Sequence, residues 1–414
     1  MSLNKETEQD NFWLSAKGQH VRVPYLPNLF LSWKAKLHPD YERARDEVLN
    51  PWIRTWVDDD MTCRKLQKAE FGVFAAILCA DAPFDRLCTV AKYFAWYFIW
   101  DDILTNTPVF DCGALQGQPL AMKEYRDASM EYIKHQLLPE NPCPDLSVYP
   151  LELQKALECW EEVGVHIRSV CDRGTCEVLF EAMLAYISAV GDANALFHDG
   201  SVPSVEAYWW RRDYAAGVYP TIATIPFALG VDITPAYAAI PEMQALWKST
   251  SYLVHITNDM LSLRKELRDG QIENIVPVLM LNEGLNINEA IQRSYHFAEE
   301  NARGVESTGA ALLSRADGKH SDVAKAFTRG CMDIAAGLIH WSYSGQRYFK
   351  ASDLDAENVL HFYAVSKEKM VHVGGVNVNL PILTPKMYSK IPAVAAGSLV
   401  AMVCGGLWYL KLLV

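Results

Sequence analysis

Between residues 50 and 350 the chain consists almost entirely of long segments with apolar residues at helical spacing, and this periodicity constrains the fold more than any other feature. Glu70–Cys79, Phe84–Leu104, Leu151–Val170, Val178–Val190, Ala245–Asp269 and Val323–Phe349 all read as helices. Alternating strand-like runs closed by Asn-Gly or Asp-Gly turns are scarce. With 50% hydrophobic residues among 414, a large core can be buried. The expectation is an all-α fold, a single large helical bundle of about 300 residues.

The ends differ. Pro24, Pro27 and Pro39 punctuate an irregular lead-in, followed by a helix over Tyr41–Leu49. Residues 351–389 read as a linker, because Val371–Asn379 is followed by Pro381 and Pro385. Ile391–Leu410 then contains no Asp, Glu, Lys or Arg. A helix over such a stretch spans about 30 Å, the hydrocarbon thickness of a bilayer. Lys386 and Lys390 precede it, and Trp408, Tyr409 and Lys411 close it like interfacial anchors. The expected organisation is a domain over 1–350, a linker over 351–389 and a C-terminal apolar helix over 390–414 acting as a transmembrane tail anchor. A final helix packed on the bundle is the alternative.

Composition excludes some classes. A formal net charge of −12 argues against a nucleic-acid partner, since phosphate backbones favour basic surfaces. Any anionic substrate must be held by local cations or metal. Ten cysteines are scattered without a Cys-x-x-Cys pair, the closest being Cys171 and Cys176, which fits reduced thiols in a cytosolic compartment. Met1–Asp10 is polar, so no cleaved secretory signal is expected.

Asn258, Ser262 and Glu266 recur at steps of four and therefore share one helix face. An amide oxygen, a hydroxyl and a carboxylate suit a hard divalent cation such as Mg²⁺. Lys265 adds a cation able to meet a phosphate. Asp101 and Asp102 close the aromatic run Tyr93–Trp100, where unpaired carboxylates are costly to bury and a metal would relieve the cost. A solvent-facing pair at a helix end is the bland alternative. Asp58, Asp59 and Asp60 lack an apolar lead-in and read as a solvated turn or helix cap. Tyr97 and Phe98 precede Asp101 by one turn, with Phe94 a further turn back, so they project toward the same face. Aromatic faces attract cations within about 6 Å, although such stripes also suit plain core packing. Arg212 lies in a segment that Gly217 and Pro220 would break, and arginine can grip a phosphate bidentately. Arg347 and Tyr348 can both donate to phosphate oxygens.

Acidic pair, arginine before a glycine break, Asn/Ser/Glu helix and late Arg-Tyr occur in this order. Together they resemble a microbial class I terpene synthase, most similar to fungal and bacterial sesquiterpene cyclases, over about residues 20–350. Pro24–Trp52 and Val202–Tyr208 share the likeness. The resemblance implies a catalytic domain of the class I terpenoid synthase type that ionises an allylic isoprenoid diphosphate, most simply farnesyl diphosphate, and cyclises the carbocation; the positive residues before the apolar stretch would put that domain on the cytosolic side. It assigns metal binding to Asp101, Asn258, Ser262 and Glu266, with Asp102 in support, and diphosphate binding to Arg212, Lys265, Arg347 and Tyr348. In a dry pocket beside the departing diphosphate the faces of Tyr97 and Phe98 would guide the carbocation, and the resemblance implies about three Mg²⁺ ions stabilising the leaving group. Three departures stand out: position 105 is Thr where a third acid is usual, Gly217 lies one residue late so that Ala216 or Arg211 can take neighbouring roles, and the linker and tail are additional. Rival readings are a diterpene cyclase using geranylgeranyl diphosphate, a prenyltransferase (which the Asn/Ser/Glu site argues against), and a non-catalytic tail-anchored scaffold.

Overall fold

The structure, a computed structural model, describes residues 8–30, 32–33, 35–104, 115, 118–195, 202–268, 270–345 and 347–364. A helix that is apolar all round must be buried all round. Phe71–Leu78 is such a helix: every residue except Phe74 is buried. It packs between the helices Phe84–Leu104 and Ser321–Ser344. The 28-residue helix Pro241–Arg268 packs along Ile287–Arg315 and Ser321–Ser344 and forms the axis of the bundle. Large side chains fill the centre, and several of their polar atoms find acceptors, although the buried indole N–H groups of Trp52, Trp160 and Trp247 have none among the described residues. Trp96 donates to the Ala156 carbonyl at 2.9 Å and Trp100 to the Ser129 hydroxyl at 3.0 Å.

The all-α expectation holds, with local differences. Phe84–Leu104 runs over the expected residues. The expected Leu151–Val170 helix is two, Leu151–Glu158 and Glu161–Val170. The break leaves no trace in the periodicity because Leu153, Leu157, Trp160 and Ile167 are all buried across it. The lead-in carries a helix, Glu8–Ala16, and a strand, β1 (His20–Val23). Strand β2 (Leu360–Tyr363) pairs antiparallel with β1, His20 opposite Tyr363 and Val23 opposite Leu360. Val21, Val23, Leu360 and Phe362 turn inward, following the two-residue period of a strand. The opening of the stretch read as a linker is thus folded against the N-terminal region. Asp59 caps the helix Asp60–Lys68 by accepting from the Thr62 amide at 2.6 Å, the role expected of that acidic cluster. Pro51 sits just after a turn of π-helix, Ala44–Leu49, whose wider winding accommodates a residue with no N–H.

The helix Ser321–Ser344 stops short of Arg347 and Tyr348, which lie beyond it rather than within the expected Val323–Phe349 helix. The residue after the stop, Gly345, has little room for a side chain: a Cβ there would meet the Trp341 carbonyl at 3.1 Å and the Ala69 carbonyl at 3.3 Å. Trp341 donates its indole N–H to the same Ala69 carbonyl, which fixes the chain's exit toward Arg347. No helix among the described residues is long and apolar enough to cross a membrane, and the apolar stretch 391–410 lies outside the described residues.

Candidate active site

Asn258, Ser262 and Glu266 fall within the unbroken helix Pro241–Arg268. Its interior hydroxyls are satisfied within the helix itself: Thr250 and Thr257 donate back to the Leu246 and Leu253 carbonyls at 2.8 Å. Ser262 is buried, while Asn258, Lys265 and Glu266 are half-buried. Asn258 sits between two distant segments. Its carbonyl oxygen accepts from Arg212 Nη2 at 3.3 Å, and its amide donates to the Tyr348 hydroxyl at 3.0 Å. Glu266 accepts from Asn274 at 2.8 Å. Burial pushes the Glu266 carboxyl up and nearby Asp259 adds to this, while Arg212, Asn274 and Ser262 oppose it. Among the described residues no group of three or more His, Cys, Asp or Glu could hold a metal by itself. The donor set is therefore mixed: amide, hydroxyl and one carboxylate that a cation would relieve of its burial cost. All-oxygen donors of this kind fit a hard divalent ion.

Asp259 is the residue that sequence reasoning missed. It is fully buried and carries a dense set of donors: Arg212 Nη2 at 2.8 Å, the Ile275 amide at 2.7 Å and the Tyr208 hydroxyl. Asn274, the N-cap of the helix Ile275–Glu283, donates to the Asp259 carbonyl at 2.7 Å as well as to Glu266. Burial alone would lower the Arg212 guanidinium; Asp259, Tyr208 and Glu266 more than offset it and raise it well above its ordinary value. Asp259 lies about 100° around the helix from Asn258, off the stripe that the four-residue spacing picks out. The available signal was an acid between Asn258 and the apolar pair Met260–Leu261, which burial would oblige to find a partner.

The neighbouring arginines diverge. Arg212 faces the motif helix, while Arg211 pairs with Glu273 at 3.1 Å. Burial pushes the Glu273 carboxyl up to about 7, against the pull of Arg211 and Arg212. His255, one turn before Asn258, is buried with neither ring nitrogen hydrogen-bonded among the described residues. Burial, helped by Arg212, holds it well below its ordinary value and hence neutral.

The expected helix break is present. Val205–Ala215 stops, Gly217 takes φ +71°, and Val218–Ile222 begins. The left-handed backbone is why a glycine stands there. Its carbonyl accepts from the Thr221 hydroxyl at 2.8 Å. The rings of Tyr97 and Tyr186 close over the break: a Cβ at Gly217 would lie 3.7 Å from one and 3.4 Å from the other. Tyr97 meets Tyr186 edge-on at 5.3 Å, and its hydroxyl bonds that of Tyr93 at 2.7 Å.

Phe98 lies elsewhere than its neighbour. Its ring stacks on Phe71 at 4.2 Å, and the Arg347 guanidinium sits 4.4 Å from its centroid. Two groups at those distances cannot share one face, so both faces of Phe98 are engaged. Tyr348 packs edge-on against Trp341 at 5.7 Å with its hydroxyl on Asn258. Arg212, Asn258 and Tyr348 are thus one connected set, with Arg347 beside it. Asp101 and Asp102 belong to the last turn of Phe84–Leu104; their side chains, and Thr105, lie outside the described residues.

The family described as "Terpene synthase family 2, C-terminal metal binding" matches residues 92–303, just over half of the chain. The terpene cyclase braA of Annulohypoxylon truncatum is 25% identical over 349 residues, covering 82% of this chain and 89% of that protein. The sesquiterpene cyclase hepA of Aspergillus oryzae is 24% identical over 332 residues, 79% of this chain and 88% of that one. A single-residue variant of cucumene synthase has the same fold, with a TM-score of 0.63 at 19% identity over 75% of this chain and 98% of that one. The linalool/nerolidol synthase of Streptomyces clavuligerus gives a TM-score of 0.62 at 16% identity, again covering 75% and 98%. The chain belongs to the metal-binding terpene synthases of family 2, lyases that act on prenyl diphosphates.

Proposed function

We propose that the protein uses Mg²⁺ to ionise farnesyl diphosphate and cyclises the resulting carbocation to a sesquiterpene hydrocarbon or alcohol. The observation that carries the reading is the Arg212–Asn258–Tyr348 chain of hydrogen bonds, which draws two distant segments to the helix bearing Asn258, Ser262 and Glu266. Asp101, Asn258, Ser262 and Glu266 hold the metal, with Asp102 in support. Bound divalent ions neutralise the charge that develops on the departing diphosphate, about three of them when the site is full. Arg347 and Tyr348 donate to its oxygens, Lys265 adds a point charge, and Arg212 approaches from its anchor on Asp259. Tyr97, beside Tyr186, forms an aromatic wall over the helix break that excludes water and faces the cation. No protein general base is assigned, since the diphosphate can accept the final proton. The Aspergillus oryzae relative is a sesquiterpene cyclase, which supports farnesyl diphosphate over a longer substrate. The apolar stretch 391–410 anchors the domain to a membrane in this reading, so the full chain should float with lipid vesicles.

Incubating the full chain with Mg²⁺ and, separately, geranyl, farnesyl and geranylgeranyl diphosphates, with products read by gas chromatography–mass spectrometry, tests the reading. A cyclic product from the farnesyl substrate, absent in Asn258→Ala, is expected. A cyclic product from geranylgeranyl diphosphate alone would transfer the assignment to diterpenes, and linear elongated diphosphates would make the protein a prenyltransferase.

A further inference from the structure

Tyr97 and Phe98 are adjacent, aromatic and half-buried between buried neighbours, yet they meet different partners. Tyr97 turns toward Tyr186 and the break at Gly217. Phe98 turns toward Phe71, Trp341 and Arg347. Arg347 stands past the end of the helix Ser321–Ser344, on no regular element. Its Nε is buried and has no hydrogen-bond partner among the described residues. What holds the guanidinium is aromatic: the Phe98 ring at 4.4 Å and the Tyr348 ring at 5.8 Å. A buried N–H left unpaired is costly, and a planar cation resting on a ring face keeps its edge open for an anion's oxygens.

We propose that Phe98 is a positioning residue for Arg347, a platform that holds the guanidinium for diphosphate, and not a wall of the hydrocarbon pocket. Phe71 backs the platform from the other side, so the stack Phe71–Phe98–Arg347 transmits the packing of two bundle helices to a residue with no helix of its own. The inference rests on Arg347 being a diphosphate ligand, as proposed above. It separates the two aromatic neighbours by role: Tyr97 shapes the product, and Phe98 serves the leaving group.

The test is a double-mutant cycle on the full chain, with inorganic pyrophosphate in the presence of Mg²⁺ as the probe, binding read by calorimetry and product distribution by gas chromatography. Phe98→Leu keeps apolar bulk and removes the π face. It should weaken pyrophosphate binding by about 5- to 30-fold, the equivalent of about 1–2 kcal/mol for a desolvated cation–π contact. Phe98→Tyr should restore binding. The Phe98→Leu/Arg347→Ala double variant should bind no more weakly than Arg347→Ala alone, because the ring acts only through the guanidinium. The ratio of products should stay that of the wild type. Should leucine pack poorly, as a lowered unfolding temperature would reveal, Phe98→Met removes the ring with a more adaptable side chain. Weak binding in Arg347→Ala with normal binding and altered products in Phe98→Leu would overturn the platform and restore Phe98 to the pocket wall. Normal binding in Arg347→Ala would instead remove Arg347 from the diphosphate site, and the platform with it.

Discussion

Arg212 and Arg347 are both arginines beside the Asn258 helix, and the fold holds them in opposite ways. Arg212 is locked by a full countercharge: buried Asp259 at 2.8 Å, itself fastened by Tyr208 and the Ile275 amide. Arg347 has ring faces for support and a buried Nε without a partner among the described residues. The contrast is between a charge whose loss leaves others stranded and a charge whose loss strands nothing. The first belongs as much to the architecture as to the site; the second is available to function alone.

The largest way to break that comparison is at Asp259. Asp259→Ala would leave half-buried Arg212 without its countercharge and the Tyr208 hydroxyl and Ile275 amide unmet, with an expected loss of about 3–5 kcal/mol in chemical denaturation. A loss near that of an exposed substitution would mean that Arg212 readily finds another partner. Glu273, the partner of the neighbouring Arg211, gives a medium effect that is legible in pH. Its carboxyl is pushed up to about 7 from an ordinary 4.5, so between those values the folded state binds the proton that the unfolded state has released. This group's contribution to stability is therefore greatest at low pH and is lost as pH rises toward about 7. Glu273→Gln should flatten that fall in a series of unfolding curves; an unchanged slope would show that Arg211 already compensates Glu273 fully. The smallest stability effect belongs to Arg347. Arg347→Ala should change unfolding free energy by less than about 1 kcal/mol, because the cation–π gain is offset by the cost of a buried Nε without a partner among the described residues, while turnover of farnesyl diphosphate falls sharply. A stability loss as large as that of Asp259→Ala would erase the distinction between the two arginines.

Legibility followed the range of the interaction. The Asp59 cap, the Gly217 break and the Phe84–Leu104 helix were readable because each depends on residues within a turn or two. The break at Trp160 was not, because the buried face continues through it. The Asn258, Ser262 and Glu266 stripe was readable as spacing, but its partners were not: Asn258 meets Arg212 and Tyr348 across sequence separations of 46 and 90 residues. Asp259 was invisible for the same reason, since its donors come from Tyr208, Arg212 and Ile275. The β1–β2 pairing joins residues near both ends of the described chain, and two four-residue strands carry too little pattern to announce themselves.

By itself, then, the sequence determined the helical class, the order of the motif residues and the oxygen-rich face of one helix, all consequences of a 3.6-residue period acting locally. Only the tertiary structure decided that Asp259 anchors Arg212, that Tyr97 and Phe98 part company, and that Arg347 rests on a ring. Those outcomes depend on which helices pack against which, and burial then forces each charge and ring to take whatever partner packing brings within reach.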